Sequence, residues 1–158
     1  MLARIMVVDD EPDLETLIRQ KFRRQIRRGE LEFIFAHNGV DALAKLQASP
    51  EVDLVLSDIN MPEMDGLALL EELKRSHPLV KMVMVSAYGD MENIRTAMNR
   101  GAFDFLTKPI NFHDLELTTS KTLEYVNQIK SALEHEKQAR YAERQLLVSL
   151  QQEIEIRH

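Results

Sequence analysis

Five short apolar runs rich in β-branched residues, at 4–8, 31–36, 53–57, 81–86 and 103–106, alternate along this chain with segments of a different period. Between them, 12–27, 39–48, 66–76 and 90–100 carry apolar residues at three- and four-residue spacing, the signature of helices with one buried face. Gly29, Gly39, Pro50, Gly66, Pro78, Gly89 and Gly101 punctuate the junctions. Strands alternating with helices across short connections cannot close a hairpin sheet. They predict a parallel sheet reached by right-handed crossovers, with helices on both faces. The expected architecture is a doubly wound five-stranded α/β sheet. At 158 residues and 44% hydrophobic, the chain holds one well-cored domain and an appendage.

The chemistry concentrates where the apolar runs stop. Asp9 and Asp10 follow Arg4-Ile5-Met6-Val7-Val8, and Asp58 follows Leu54-Val55-Leu56-Ser57. In an open parallel sheet the carboxyl ends of the strands line the ligand crevice, so acids leaving neighbouring strands converge. Carboxylates held close raise each other's pKa unless a cation offsets them, and an all-oxygen donor set suits Mg²⁺ or Mn²⁺. Asp58 is also a candidate nucleophile toward phosphorus, provided that the phosphoryl charge is neutralised. Ser86 ends the fourth run with a hydroxyl able to donate to a phosphoryl oxygen, and Lys108 follows the fifth with a cation for another.

Other chemistries find little support. The chain has no Cys, which excludes disulfides, iron–sulfur clusters and thiol catalysis. Its five His are scattered without zinc-ligand spacing. No run approaches the roughly 18 apolar residues of a membrane span, and Met1-Leu2-Ala3-Arg4 leads into a strand without a signal-peptide pattern, so a cytoplasmic location is expected. A net charge of −6 argues against direct nucleic-acid binding. The basic residues between Lys21 and Arg28 read as the solvated face of a helix, because one helix side makes a poor groove reader.

After Pro109 the pattern changes. From Asp114 to His158 there is neither Gly nor Pro, which predicts one long helix. Its seam runs Leu115, Thr119, Thr122, Val126, Ile129, Leu133, then Glu136, Arg140, Glu143, then Leu147, Leu150, Ile154, in heptad spacing. Forty-odd residues at ~1.5 Å each reach roughly 65 Å, more than such a sheet needs. The distal half is expected to pair with a second copy as a parallel coiled coil. The polar trio weakens the middle of the seam, and Ala139, Ala142 and Leu146 offer a competing stripe one position away.

Val7-Val8-Asp9-Asp10-Glu11-Pro12, the segment Ser57-Asp58-Ile59-Asn60-Met61-Pro62, Val85-Ser86-Ala87 and Phe105-Leu106-Thr107-Lys108-Pro109 together resemble the signatures of two-component response-regulator receiver domains, over about residues 3–125. The resemblance implies a flavodoxin-like strand order of 2-1-3-4-5 and a phosphoryl group taken onto Asp58 from a partner histidine kinase or phosphotransfer protein. It implies Mg²⁺ held by Asp10, Asp58 and the backbone carbonyl of Asn60, with Asp9 acting through water. Ser86 and Lys108 would bind the phosphoryl oxygens, and Lys108-Pro109 would be a cis peptide bond. Phe105 takes the place of the family's switching aromatic, coupled to Ser86. Asn60 and Tyr88 stand where the family tunes dephosphorylation.

The expected organisation is thus a receiver at 1–125 and a coiled-coil extension of its last helix at 126–158, homodimeric and leading to an output domain that this sequence does not contain. A receiver of this kind catalyses only its own phosphorylation and dephosphorylation. Two other readings compete: a stand-alone scaffold receiver, and a Mg²⁺-dependent phosphatase or phosphotransferase of small phosphate esters. The last would need a substrate pocket, and every connection between these strands is short.

Overall fold

The computed structural model describes residues 2–49 and 51–157; Met1, Pro50, which was expected to punctuate a junction, and His158, the end of the expected helix, lie outside the described residues. Five strands form at the five apolar runs: β1 (Ala3–Val8), β2 (Leu31–Ala36), β3 (Leu54–Asp58), β4 (Lys81–Ala87) and β5 (Asp104–Lys108). All pairings are parallel, in the order β2-β1-β3-β4-β5. The helices are α1 (Pro12–Lys21), α2 (Arg23–Arg27), α3 (Gly39–Ala48), α4 (Gly66–Ser76), α5 (Met91–Asn99) and α6 (Phe112–Arg157). This is the doubly wound sheet expected from the alternation of periods.

Each inner strand feeds two cores because successive side chains point to opposite faces. Ile5 and Val7 of β1, Leu54 and Leu56 of β3, Val83 and Val85 of β4 and Leu106 of β5 join Leu14, Ile18, Phe22 and Leu115 on one face. Met6, Val8, Val55, Met82 and Met84 join Ala42, Leu46, Leu69, Leu73 and Ala97 on the other. Val55 and Met84 are fully buried, each burial being worth about 1.5–3 kcal/mol relative to exposure.

Helix starts follow local chemistry. Asn38 caps α3 by accepting from the Asp41 N–H at 2.8 Å, Asp65 caps α4 from the Ala68 N–H at 2.8 Å, and Asn111 caps α6 from the Asp114 N–H at 3.2 Å. The cap at Asn111 starts α6 slightly ahead of the residue 114 that composition suggested. The single helix expected at 12–27 is instead two. Phe22, with φ −101° and ψ 18°, leaves the helical region between α1 and α2. Its buried ring lies 5.3 Å from that of Phe33 and 5.5 Å from that of Phe112, so aromatic packing turns the chain where the sequence carries no breaker.

The chain divides into two compact units, Met1–Leu123 and Glu124–His158, with α6 running through both. Within the second unit every residue from Ser131 to Arg157 is exposed, including Leu147, Leu150 and Ile154. Among the described residues, no helix is long and apolar enough to cross a membrane.

Candidate functional site

Strand register brings the acids together. Val8 of β1 pairs with Ser57 of β3, so Asp9 and Asp58, one residue further on each strand, emerge side by side at the carboxyl edge of the sheet. Alternation then sets their direction. Asp9 continues the Ile5, Val7 series, Asp58 the Leu54, Leu56 series and Lys108 follows Leu106, so all three leave the sheet on the face of the α1 core. Asp9, Asp10 and Asp58 each offer an oxygen, and these oxygens lie within 4.8 Å of one another. Asp9 and Asp58 are both 7% exposed, while Asp10 is exposed.

Lys108 reaches back from β5 across β4. Its Nζ lies 3.0 Å from Asp58 Oδ2 and 3.4 Å from Asp9 Oδ2. Backbone donors complete the frame: the Glu11 N–H donates to Asp9 Oδ1 at 2.9 Å and the Asn60 N–H to Asp58 Oδ1 at 3.3 Å. Burial pushes the Asp9 carboxyl above its ordinary pKa, and the opposing help of the Glu11 N–H and the Lys108 ammonium does not cancel it. Burial acts to lower the Lys108 pKa, but the hydrogen bond and charge of Asp58, with Asp9 behind it, outweigh burial and hold it above the usual lysine value. Three carboxylates against one ammonium leave two formal negative charges on a cluster of hard oxygens. Such a donor set fits a divalent cation of the Mg²⁺ type.

The remaining expected residues are placed less tightly. Asn60 is exposed beside Asp58. Ser86 is fully buried near the end of β4, and its Oγ donates to Asp90 Oδ2 at 3.3 Å rather than to Asp58. Phe105 is 36% exposed on β5, and Tyr88, at 88%, stands almost free in the β4–α5 loop. Lys108-Pro109 is a cis peptide bond. The structure therefore assembles Asp9, Asp10, Asp58 and Lys108 into one cluster, while Ser86 is bonded to Asp90 and Tyr88 and Phe105 are exposed.

Comparison with known proteins decides the family. The model of the response regulator receiver domain matches residues 5–120. The chain belongs to the response regulator receiver domain family. This receiver is 38% identical over 119 residues to the transcriptional regulatory protein ZraR of Klebsiella oxytoca, an alignment that covers 75% of this chain and 26% of that protein. It is 38% identical over 110 residues to the DNA-binding transcriptional regulator NtrC of Salmonella typhimurium, over 70% of this chain and 22% of NtrC. The chain spans only about a quarter of the length of these curated relatives. Among solved structures it resembles the receiver domain of NtrX from Brucella abortus, with a TM-score of 0.68 and 36% identity over 76% of this chain and 98% of that one. It also resembles the signal receiver domain of an HD domain-containing protein from Pseudomonas fluorescens Pf-5, with a TM-score of 0.73 and 28% identity over 81% of this chain and 99% of that one.

Two contacts around this site escape sequence reasoning. The Glu11 N–H on Asp9 is a main-chain donor, invisible in residue identities. Asp90 is visible as a residue, but an Asp just ahead of a helix reads as its cap, and nothing in the sequence redirects its side chain to Ser86.

Proposed function

We propose that this receiver accepts a phosphoryl group on Asp58 from a phosphohistidine of a histidine kinase or phosphotransfer protein. A carboxylate oxygen of Asp58 attacks phosphorus, the P–N bond to the donor imidazole breaks, and the ring nitrogen keeps the electron pair, leaving an acyl phosphate on Asp58. The observation that carries this reading is the contact of Lys108 Nζ with Asp58 Oδ2 at 3.0 Å, beside two further carboxylates. Lys108 is a cationic partner on a flexible stem, able to follow the new phosphoryl oxygens. Asp10, Asp58 and the backbone carbonyl of Asn60 would hold Mg²⁺, with Asp9 beside them. When bound, that ion neutralises phosphoryl charge and orients the donor.

Once Asp58 is modified, Lys108 and Ser86 take up phosphoryl oxygens, and the space left by Ser86 admits the Phe105 ring. The signal then passes to the face formed by α5, β5 and the start of α6. Asn60 and Tyr88 set the access of hydrolytic water. On this reading the chain turns over no separate substrate; it catalyses only its own phosphorylation and dephosphorylation, in the cytoplasm. Residues 1–125 form the receiver. Residues 126–158 form a parallel coiled coil with a second copy, supported by the exposed seam of Leu133, Leu147, Leu150 and Ile154, and lead to an output domain.

Intact mass spectrometry after acetyl phosphate and Mg²⁺ tests the site. One phosphoryl mass is expected on the wild-type protein and none on Asp58→Asn, with the far-ultraviolet dichroism of the two alike. Labelling of the variant at wild-type stoichiometry would refute the assignment.

A further inference from the structure

Among the described residues, three helices open on an Asn or Asp whose side chain accepts from a first-turn N–H: Asn38, Asp65 and Asn111. A fourth, Asp90, occupies the same place ahead of α5 and makes no such bond. Its Oδ2 instead accepts from Ser86 Oγ at 3.3 Å and from Asn93 Nδ2 at 3.0 Å. A side chain that gives up its own helix cap is held elsewhere for a reason. Here Asn93, on the first turn of α5, fixes the carboxylate, and the carboxylate fixes the one hydroxyl at the end of β4 that is fully buried. The bond commits the Ser86 hydroxyl to Asp90 rather than to Asp58.

We infer that Asp90 is a positioning residue: a latch that holds Ser86 in the unmodified state and must release it before the hydroxyl can bind a phosphoryl oxygen on Asp58. The latch rests on the roles given above to Asp58 and Ser86, and adds to them a built-in resistance to activation. The hydroxyl has a single proton to donate, so the bond to Asp90 and the bond to a phosphoryl oxygen exclude each other. Whatever stability the first supplies is subtracted from the second. Asn93 joins the same device, because it donates to the same acceptor oxygen, Asp90 Oδ2.

A hydrogen bond to a charged acceptor shifts an equilibrium by about tenfold at the lower end of its usual range. Asp90→Ala is therefore expected to bind beryllofluoride, with Mg²⁺ present, about tenfold more tightly than the wild-type chain. Removing a negative charge near the site also favours an anion, so the decisive measurement is a double-mutant cycle with Ser86→Ala. A latch predicts that most of the gain from Asp90→Ala disappears in the Ser86→Ala background, whereas a charge effect survives it unchanged. In the unmodified protein, amide resonances of residues 86–93 in Asp90→Ala should move along the line that joins the free and beryllofluoride-bound wild-type positions. Should Asp90→Ala fold poorly, Asp90→Asn, which keeps the shape with a weaker acceptor, is expected to show about a threefold gain. A wild type that binds with a variant that does not gain, or a gain equal in both backgrounds, overturns the latch alone. A wild type that does not respond to beryllofluoride overturns the Asp58 reading and the latch with it.

Discussion

Lys108→Met keeps most of the lysine stem and removes the ammonium that Asp58 and Asp9 share. The hydrogen bond to Asp58 at 3.0 Å is of the charged kind, worth about 1.5–3 kcal/mol. The 3.4 Å contact with Asp9 adds to it, and without the ammonium the two carboxylates repel. The Lys108 side chain is 32% exposed, so solvent screening brings the sum to about 2 kcal/mol. For a receiver of this size that is a fall in Tm of about 6–10 °C. The pH dependence carries the sharper test. The Lys108 pKa is raised, so its contribution is complete below the ordinary lysine value and is lost as the pH climbs through the folded-state value. On the acid side, Asp9, already raised by burial, takes up its proton early, and a neutral acid has no need of the ammonium. The gap between variant and wild type should be widest near neutral pH, narrow as Asp9 takes up its proton and close as Lys108 loses its own. Mg²⁺ should stabilise the variant more than the wild type, since a divalent ion replaces the missing charge. Thermal unfolding followed by circular dichroism, in chelator and in Mg²⁺ across a pH series, reads all of this. A variant that melts within about 1 °C of wild type at neutral pH in chelator, or a gap independent of pH, would refute the reasoning.

Further outcomes follow from packing and from the other helices. A Cβ at Gly66 would meet the Asp58 carbonyl oxygen at 2.5 Å and the Ile59 Cα at 2.9 Å, both main-chain atoms, so Gly66→Ala should cost about 2–3 kcal/mol and slow phosphorylation by displacing Asp58. Gly39→Ala would meet Met64 Cγ at 2.6 Å and Met64 Cβ at 2.8 Å; the Cβ moves only with the main chain that carries it, so the change should cost about 1–3 kcal/mol in the same melts. Asp41 accepts from the His37 N–H at 3.0 Å and pairs with Lys45 at 3.3 Å; burial acts to raise its pKa, but these partners hold it below the ordinary value. A depressed carboxylate stabilises above its unfolded pKa, so Asp41→Asn should cost about 0.5–1 kcal/mol at neutral pH, and the gap should vanish as the pH falls below 3.8 toward the folded value. If 126–158 pairs with a second copy as proposed, Leu150→Asn should weaken self-association at least about tenfold in sedimentation, with the melting of the sheet unit unchanged.

The alternation of periods made the sheet legible, because a parallel α/β fold needs little beyond continuous apolar strands and one-sided helices. Asp9, Asp10, Asp58 and Lys108 were legible for the same reason: strand ends are easy to find, and parity along a strand assigns the face. The break at Phe22 was not, since it depends on rings of β2 and α6 that no local pattern brings near. Ser86 was recognisable as a hydroxyl at a strand end, but its partner was not. Asp90 offers the same side chain as any helix cap, and only the three-dimensional competition between the α5 N–H groups, Asn93 and Ser86 decides where its oxygens go.

Two aspartates bracket β3, Asp53 just before it and Asp58 at its end, and burial hardly distinguishes them at 6% and 7% exposed. The first takes the Arg4 N–H at 2.9 Å, and its own N–H donates to the Arg4 carbonyl at 2.8 Å, so that end of the strand is welded to β1 through main chain. The second is answered by a lysine side chain from a strand two places away. The strand behaves as a beam clamped at one end and loaded at the other. Asp58 is met by a side chain that can rearrange, Asp53 by main chain that is already paired. An insertion or fusion at the opposite edge of this unit, where Asp53 is held to Arg4, should therefore leave the Asp58 cluster untouched.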